Sequence, residues 1–307
     1  MTRTGGALVE VAPGVHAWVQ PDGSWWINNA GAVLAEDGAL LVDTCATARR
    51  TRAFLDAVHA ASGGTPVRWA VNTHLHGDHT HGNALLPADA TLIGHRATRE
   101  GILADTLLAD PPPVWDPVPE WGITAHRAPE VVLHDRLDLH VGARRVELRH
   151  PGHAAHTAGD VVVWLPDDGV LFTGDLVFHQ VTPLLLMGSV AGAVRSLDWL
   201  AGFGARVLVP GHGPVVPGER VRAVLDAHRR YYDFVLATGE HARTAGLTPL
   251  EAARRADLGE FADWPDAERL VLNLHRVRAD AAGEPLDLPA ALADAVTYHG
   301  GPLRCAV

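Results

Sequence analysis

Val71-Asn72-Thr73-His74-Leu75-His76-Gly77-Asp78-His79 is the stretch on which the reading of this chain turns. It places three imidazoles and one carboxylate within six positions, directly after the strand-like run from Val67 to Val71. A turn leaving the end of a strand can fan such side chains into one cavity. His74 and His76 project together, and Asp78 and His79 turn back after Gly77. Borderline-soft divalent ions such as zinc take imidazole nitrogen and carboxylate oxygen in this mixture. The chain carries 19 histidines, so a solvated, His-rich turn is the competing reading. Four ligand-type residues bounded by a strand and a glycine favour a metal site.

Before that stretch, Leu8 to Val11 and Val15 to Val19 read as short strands separated by Pro13-Gly14. Trp25-Trp26 follows the turn signal Asp22-Gly23, and one of the pair is a candidate for a pocket wall. Gly31 to Ala35 and Ala39 to Val42 are further strands. Thr47 to Ala61 reads as an amphipathic helix through Phe54, Leu55 and Val58. Asp43 ends a strand, where a carboxylate either orients a ligand histidine or caps the turn.

After it, Asn83 to Leu86 reads as a short helix, Thr91 to Gly94 as a strand and His95 to Leu108 as a helix. Residues 110–129 form a long irregular segment with Trp115 and Trp121, a length that in compact domains commonly belongs to lids or binding loops. Strands recur at Val131 to Leu133, Leu137 to Leu139, Arg144 to Leu148, Val161 to Leu165 and Val170 to Phe172. Val190 to Phe203 is a helix and Val207 to Val209 a strand. The repeated order of strands then helix points to two similar halves, with two sheets face to face and helices outside. From Glu219 the character is helical: Glu219 to Thr238, Thr248 to Asp257, Pro265 to Ala281 and Pro289 to Tyr298. This tail reads as an extension of the core, 218–307, appended to a domain of 1–217.

The totals narrow the function. The 307 residues carry a net charge of -11 with 47% hydrophobic content, which supports a sizeable core and argues against binding nucleic acid through phosphates. Only Cys45 and Cys305 are present, which argues against a disulfide framework and excludes thiolate zinc clusters by count. Met1-Thr2-Arg3-Thr4-Gly5-Gly6 leads into no apolar signal core, and no apolar run has membrane-spanning length. A cytoplasmic location, with no membrane partner, is the expectation.

Three later positions can complete a metal cluster: a histidine in the 151–160 loop, Asp175 and His212. Each follows a strand or sits in a glycine-rich turn where side chains converge. Three histidines on one ion and further oxygen and nitrogen ligands on a second would leave Asp175 as the bridge. Two such cations can share a bridging water and make it a nucleophile near neutral pH.

The ordered set His74-x-His76-x-Asp78-His79, His156-Thr157, Thr173-Gly174-Asp175 and Pro210-Gly211-His212-Gly213 resembles the metallo-β-lactamase superfamily over roughly residues 8 to 217. The resemblance implies an α/β, four-layer αββα sandwich with a two-metal site, usually zinc and sometimes iron or manganese. It would place His74, His76 and His156 on the first metal, and Asp78, His79 and His212 on the second, with Asp175 bridging. Both His153 and His156 are candidates for the mid-chain ligand; the family pattern sets the ligand directly before a threonine, which matches His156. Asp78, with the bridging water or hydroxide, is the catalytic candidate.

Within the superfamily, Val181 to Leu184, Gly188 to Gly192, Leu247 to Ala253 and Asn273-Leu274-His275-Arg276 resemble bacterial aromatic-polyketide second-ring cyclases. That branch implies aldol closure and dehydration on a polyketide delivered by an acyl carrier protein, with thioester hydrolysis as a related activity, in antibiotic biosynthesis. Trp115, Trp121, Leu184, Met187 and His275 are the substrate-contact candidates. A generic zinc metallohydrolase acting on a thioester, lactone or β-lactam is the alternative. A homo-oligomer is compatible with either.

Overall fold

The first half of the chain builds one sheet. The computed structural model describes residues 5–307; Met1 to Thr4, part of the N-terminal stretch read above for a signal sequence, lie outside the described residues. Strands β1 (Ala7–Ala12), β2 (Val15–Val19), β3 (Ala30–Ala35) and β4 (Gly38–Val42) form an antiparallel meander. Helix α1 (Ala48–Ala61) then crosses over to β5 (Val67–Val71), parallel to β4, followed by the short α2 (Gly77–Thr80), β6 (Thr91–His95) and α3 (Arg96–Ala104). Side chains alternate across a strand. Leu40 and Val42 of β4 therefore face the second sheet, while Leu41 packs with Phe54 and Val58 of α1. Thr47 caps α1, its hydroxyl accepting the Arg50 amide.

Residues 105–129 contribute one short strand, β7 (Trp115–Asp116), and β8 (Val131–Leu133) completes the first sheet beside β6. The second sheet consists of β9 (Arg136–Val141), β10 (Arg144–Arg149), β11 (Val162–Leu165), β12 (Val170–Phe178), β13 (Val207–His212) and β14 (Val216–Pro217), with α4 (Val190–Ala201) between β12 and β13. Its order is β14-β13-β12-β11-β10-β9, and only β12 and β13 run parallel. Val33, Leu40, Val71 and Ile93 of the first sheet meet Val146, Leu148, Val163 and Phe172 of the second in the central core.

The outer face of the second sheet is covered by α4 and by α5 (Gly218–Ala245), α6 (Pro249–Arg255) and α7 (Arg269–Ala282), through Leu197, Leu225, Tyr232 and Leu270. The layers are helix, sheet, sheet, helix, as expected. Helix α6 opens with a capping box between Thr248 and Glu251, with Pro249 in its first turn. Helix α8 (Leu288–His299) and β15 (Leu303–Arg304) close the described chain.

Several boundaries differ from the sequence reading. Helix α3 stops at Ala104 because the Asp105 carboxylate accepts the Leu107 amide and turns the chain, so the helix expected to Leu108 is shorter. The expected short helix near Asn83 is a 3-10 turn over His81–Leu85. Helix α5 continues past Thr238 to Ala245, ending at Gly246 in the left-handed conformation that a glycine adopts without penalty. The segment 110–129 is not wholly irregular: β7 pairs with β15, the Leu303 amide donating to Val114 O at 2.7 Å. That pairing joins residues nearly two hundred positions apart, beyond the reach of local pattern. Cys45 and Cys305 are both buried free thiols.

Candidate metal centre

All the loops that carry the candidate ligands emerge at one edge of the sandwich. Asp43 follows β4, His74 to His79 follow β5, Asp175 lies in the C-terminal half of β12, and His212 is the last residue of the parallel β13. The ends of parallel strands are where α/β sheets gather ligand groups. His156 approaches from the loop before β11. Its loop is shaped by Asp160, whose carboxylate accepts the Thr157 amide at 2.9 Å and the Thr157 hydroxyl at 2.7 Å. Burial pushes the Asp160 carboxyl up to about 7, against those hydrogen bonds.

Two groups of ligand atoms result, each within 4.8 Å: His74, His76, His156 and Asp175, and beside them Asp78, His79 and His212. In the first, His76 Nδ1 lies 3.2 Å from His74 Nε2 and 2.8 Å from His156 Nε2. In the second, Asp78 Oδ2 lies 3.2 Å from His212 Nε2 and 3.7 Å from His79 Nε2. Asp175 spans both. Its Oδ2 is 3.3 Å from His156 Nε2 and 3.4 Å from His212 Nε2, and its Oδ1 is 3.1 Å from His79 Nε2.

The rings are held from behind. His79 Nδ1 meets Asp43 Oδ2 at 2.8 Å, His156 Nδ1 donates to Leu184 O at 2.7 Å and His212 Nδ1 donates to Gly23 O at 2.9 Å. Such partners fix the tautomer and turn the opposite nitrogen towards the site. Asp43 also accepts the Thr73 amide and hydroxyl, both at 2.7 Å, and sits at φ 60°. A left-handed aspartate is uncommon and costs roughly 1–3 kcal/mol, a strain that tends to cluster at functional sites. Gly211 lies beside Asp175, and a Cβ there would overlap Asp175 Oδ1.

Electrostatics and hydrogen bonding both ask for cations here. His79 Nε2 and Asp175 Oδ1 are buried, and their 3.1 Å contact with each other is the one polar contact within bonding reach, without hydrogen-bond alignment, a costly state for polar atoms. Burial opposes ionisation of Asp78 and Asp175, yet the neighbouring imidazoles hold both carboxyls below their usual range. Burial likewise acts to lower His212, but Asp175 and Asp78 outweigh it and lift the imidazole to about 9. His156, where burial dominates, falls to about 3 and stays neutral, the state a ligand needs. Buried carboxylates facing imidazole nitrogens, where a metal would take the place of the protons that the carboxylates favour on His79 and His212, fit two divalent ions.

His153 takes no part in the cluster. Its Nε2 lies 3.1 Å from both Gly192 O and Ser196 Oγ on α4.

A cavity opens against the cluster, walled by Trp25, Trp26, Trp115, Phe178, Leu184 and Met187, with His76, Asp78, Asp175 and His212 at one end. Of the substrate-contact candidates, Trp115, Leu184 and Met187 line this cavity. Trp121 does not: it lies behind Trp26, ring centroids 4.6 Å apart, with its indole N–H donating to Leu107 O. His275 is also not among the cavity-lining residues; it pairs with Asp294 of α8 at 2.8 Å. Arg269, Leu288 and Leu292, which the sequence reading did not single out, line it from α7 and α8. No local motif marks them; only the packing of α7 and α8 brings them there.

The sequence profile of the metallo-beta-lactamase superfamily matches residues 23–212. A linear primary-alkylsulfatase of Pseudomonas sp. is 26% identical over 73% of this chain and 49% of its own length. A hydroxyacylglutathione hydrolase of Anaeromyxobacter dehalogenans is 30% identical over 62% of this chain and 65% of its own length. The chain therefore spans about half of the alkylsulfatase and under two thirds of the hydroxyacylglutathione hydrolase. Among solved structures, a stereoselective inverting sec-alkylsulfatase of Pseudomonas sp. superposes with a TM-score of 0.69 at 21% identity, covering 93% of this chain and 51% of that one. A metallo-beta-lactamase from Pontibacter korlensis gives 0.60 at 21% identity, over 74% and 99%. No helix among the described residues is long and apolar enough to cross a membrane.

Proposed function

The chain belongs to the metallo-beta-lactamase superfamily, and from that premise we propose that it is a two-metal hydrolase, with zinc the ion best suited to its nitrogen and oxygen ligands. Its substrate is an ester or thioester with a bulky apolar portion. One observation carries this reading: the tryptophan-rich cavity ends directly on Asp78, Asp175, His76 and His212. A polar glutathione moiety gains little from such walls, whereas an alkyl or aryl chain buries apolar surface at about 25 cal/mol per Å².

When bound, the ions would supply Lewis-acid polarisation of a substrate oxygen and lower the pKa of water. The protein's own contribution is placement. His74, His76 and His156 would hold one ion, and Asp78, His79 and His212 the other, with Asp175 between them. Asp78 reaches the cavity wall and is the side chain placed to take up a proton from the attacking group.

Ring closure of a polyketide thioester on an acyl carrier is the second reading. The three tryptophans Trp25, Trp26 and Trp115 favour it, because flat rings stack well against them. It uses the same polarised carbonyl, attacked by an enolate carbon. Hydrolysis leads because both curated relatives described above are named for it.

The test is turnover by the zinc-loaded protein of apolar acyl thioesters, alkyl sulfates, a hydroxyacylglutathione and a polyketide thioester mimic. Thiol or sulfate release from an apolar substrate, abolished by chelation and restored by zinc, supports hydrolysis. Loss of water from the polyketide mimic without thiol release supports cyclisation. Metal-independent or absent turnover of all four contradicts both.

A further inference from the structure

Arg269 is the largest of the fully buried side chains, and it lines the cavity next to the metal ligands. It comes from the first turn of α7, in the helical layer that covers the second sheet. Its guanidinium lies 4.6 Å from the Trp25 ring and 5.5 Å from the Phe178 ring, and Phe178 stacks on His212 at 5.1 Å. Nη1 donates to Thr182 O at 2.9 Å and Nη2 meets Asp266 Oδ2 at 2.8 Å. The Nε–H is buried with no hydrogen-bond partner.

A guanidinium offers five donors in a planar fork. Two are engaged here, and the orphaned Nε–H would carry a desolvation cost unless something supplies an oxygen. Asp266 is largely enclosed, its carboxyl raised by burial against the pull of Arg269, and it meets the cation through Nη2 alone. Apart from the end formed by His76, Asp78, Asp175 and His212, the other walls of the cavity are aromatic rings and aliphatic chains. A cation in such surroundings discriminates strongly for an acceptor, because a substrate lacking one leaves the donors unsatisfied.

We propose that Arg269 is the specificity-determining residue of the cavity, and that it receives an oxygen acceptor (a carboxylate or a ketone) carried by the apolar part of the substrate, away from the bond at the metals. This rests on the hydrolase reading for the position of the reacting bond. It narrows the substrate class to acyl or alkyl chains with a second, oxygen-bearing group.

The experiment is calorimetric binding of α,ω-dicarboxylates and ω-keto acids of graded length to the zinc-loaded full chain. Each is compared with the monocarboxylate of equal length. At least one oxygen-bearing member should bind about tenfold tighter than its monocarboxylate, and Arg269→Met should erase the difference. Arg269→Lys should restore it for a dicarboxylate but not for a keto acid, since a lysine ammonium lacks the planar fork. If Arg269→Met fails to fold, the double variant Asp266→Asn/Arg269→Met removes the stranded carboxylate and is used in its place. Equal binding of all members by the wild type, or discrimination that survives Arg269→Met, overturns the proposal. Because binding needs no turnover, discrimination without hydrolysis of any substrate keeps this role and removes only the hydrolase reading.

Discussion

Asp43 Oδ2 lies 2.8 Å from His79 Nδ1, so a carboxylate at the end of β4 aims an imidazole at the end of β5. Both strands are buried on both faces near these ends and run parallel, Val42 opposite Val71. The register of one sheet thereby becomes the orientation of a ligand ring. Replacing Asp43 by Asn keeps the size but removes the charge that holds the Nδ1 proton. Zinc affinity at the His79 group should fall about 10- to 100-fold while the fold persists. Competitive zinc titration with a chromophoric chelator measures it, and an unchanged affinity would refute the orienting role.

Asn273 plays a comparable part from the opposite side. Its Oδ1 accepts the Leu185 amide at 2.8 Å, and its Nδ2 donates to Pro183 O at 2.9 Å and to Tyr231 Oη at 3.1 Å. The segment so held presents Leu184 O to His156. Asn273→Ala should destabilise the protein by about 2–4 kcal/mol, from three buried hydrogen bonds at about 1 kcal/mol each and the groups left unpaired. Urea unfolding reads this directly. A loss below about 0.5 kcal/mol, the range of ordinary surface changes, would show the tether to be dispensable.

Gly211 tests the crowding around Asp175. An alanine Cβ would overlap Asp175 Oδ1 and the backbone at Gly174, so the carboxylate must move. Gly211→Ala should lower zinc content and reduce turnover about 100-fold, the scale of a misplacement near 1 Å, with little change in circular dichroism. Retained zinc at full stoichiometry would mean that the bridging position tolerates the shift.

His228 gives a pH signature independent of the metals. Its Nε2 accepts the Phe178 amide at 2.9 Å and its Nδ1 donates to Val224 O, so the neutral ring is required. Burial lowers it from the model-peptide value of 6.5 to about 4. The unfolded chain then binds a proton first on acidification. The stability contribution is complete above pH 6.5 and is lost as pH falls towards 4, by roughly 3 kcal/mol. Unfolding free energy of wild type should fall more steeply across that window than that of His228→Gln. Parallel slopes would contradict the assignment.

Much of the sandwich was legible because its strands are short, apolar and bounded by turn residues, and because Val67 to Val71 leads into four ligand-type side chains. His156 was separable from His153 only through a family pattern. In the structure the difference is physical, since His153 is engaged by α4 while His156 is backed by Leu184 O. The cavity was far less legible. Trp115 and Trp121 have equal claims in sequence, yet Trp115 lines the cavity and Trp121 stands behind Trp26. Arg269 looks like any arginine on an amphipathic helix, and its burial depends on where α7 docks. The pairing of β7 with β15 escaped for the same reason: each strand is two residues long and its partner is distant.

Metal stoichiometry tests the central claim most directly. After exhaustive dialysis against zinc-containing and then zinc-free buffer, elemental analysis of the wild-type chain should find about two ions per chain, the count a bridged site requires. His79→Ala combined with His212→Ala should leave about one, held by His74, His76 and His156. A wild-type protein that retains no zinc, or an Asp175→Ala variant that retains the full wild-type complement, would contradict the account.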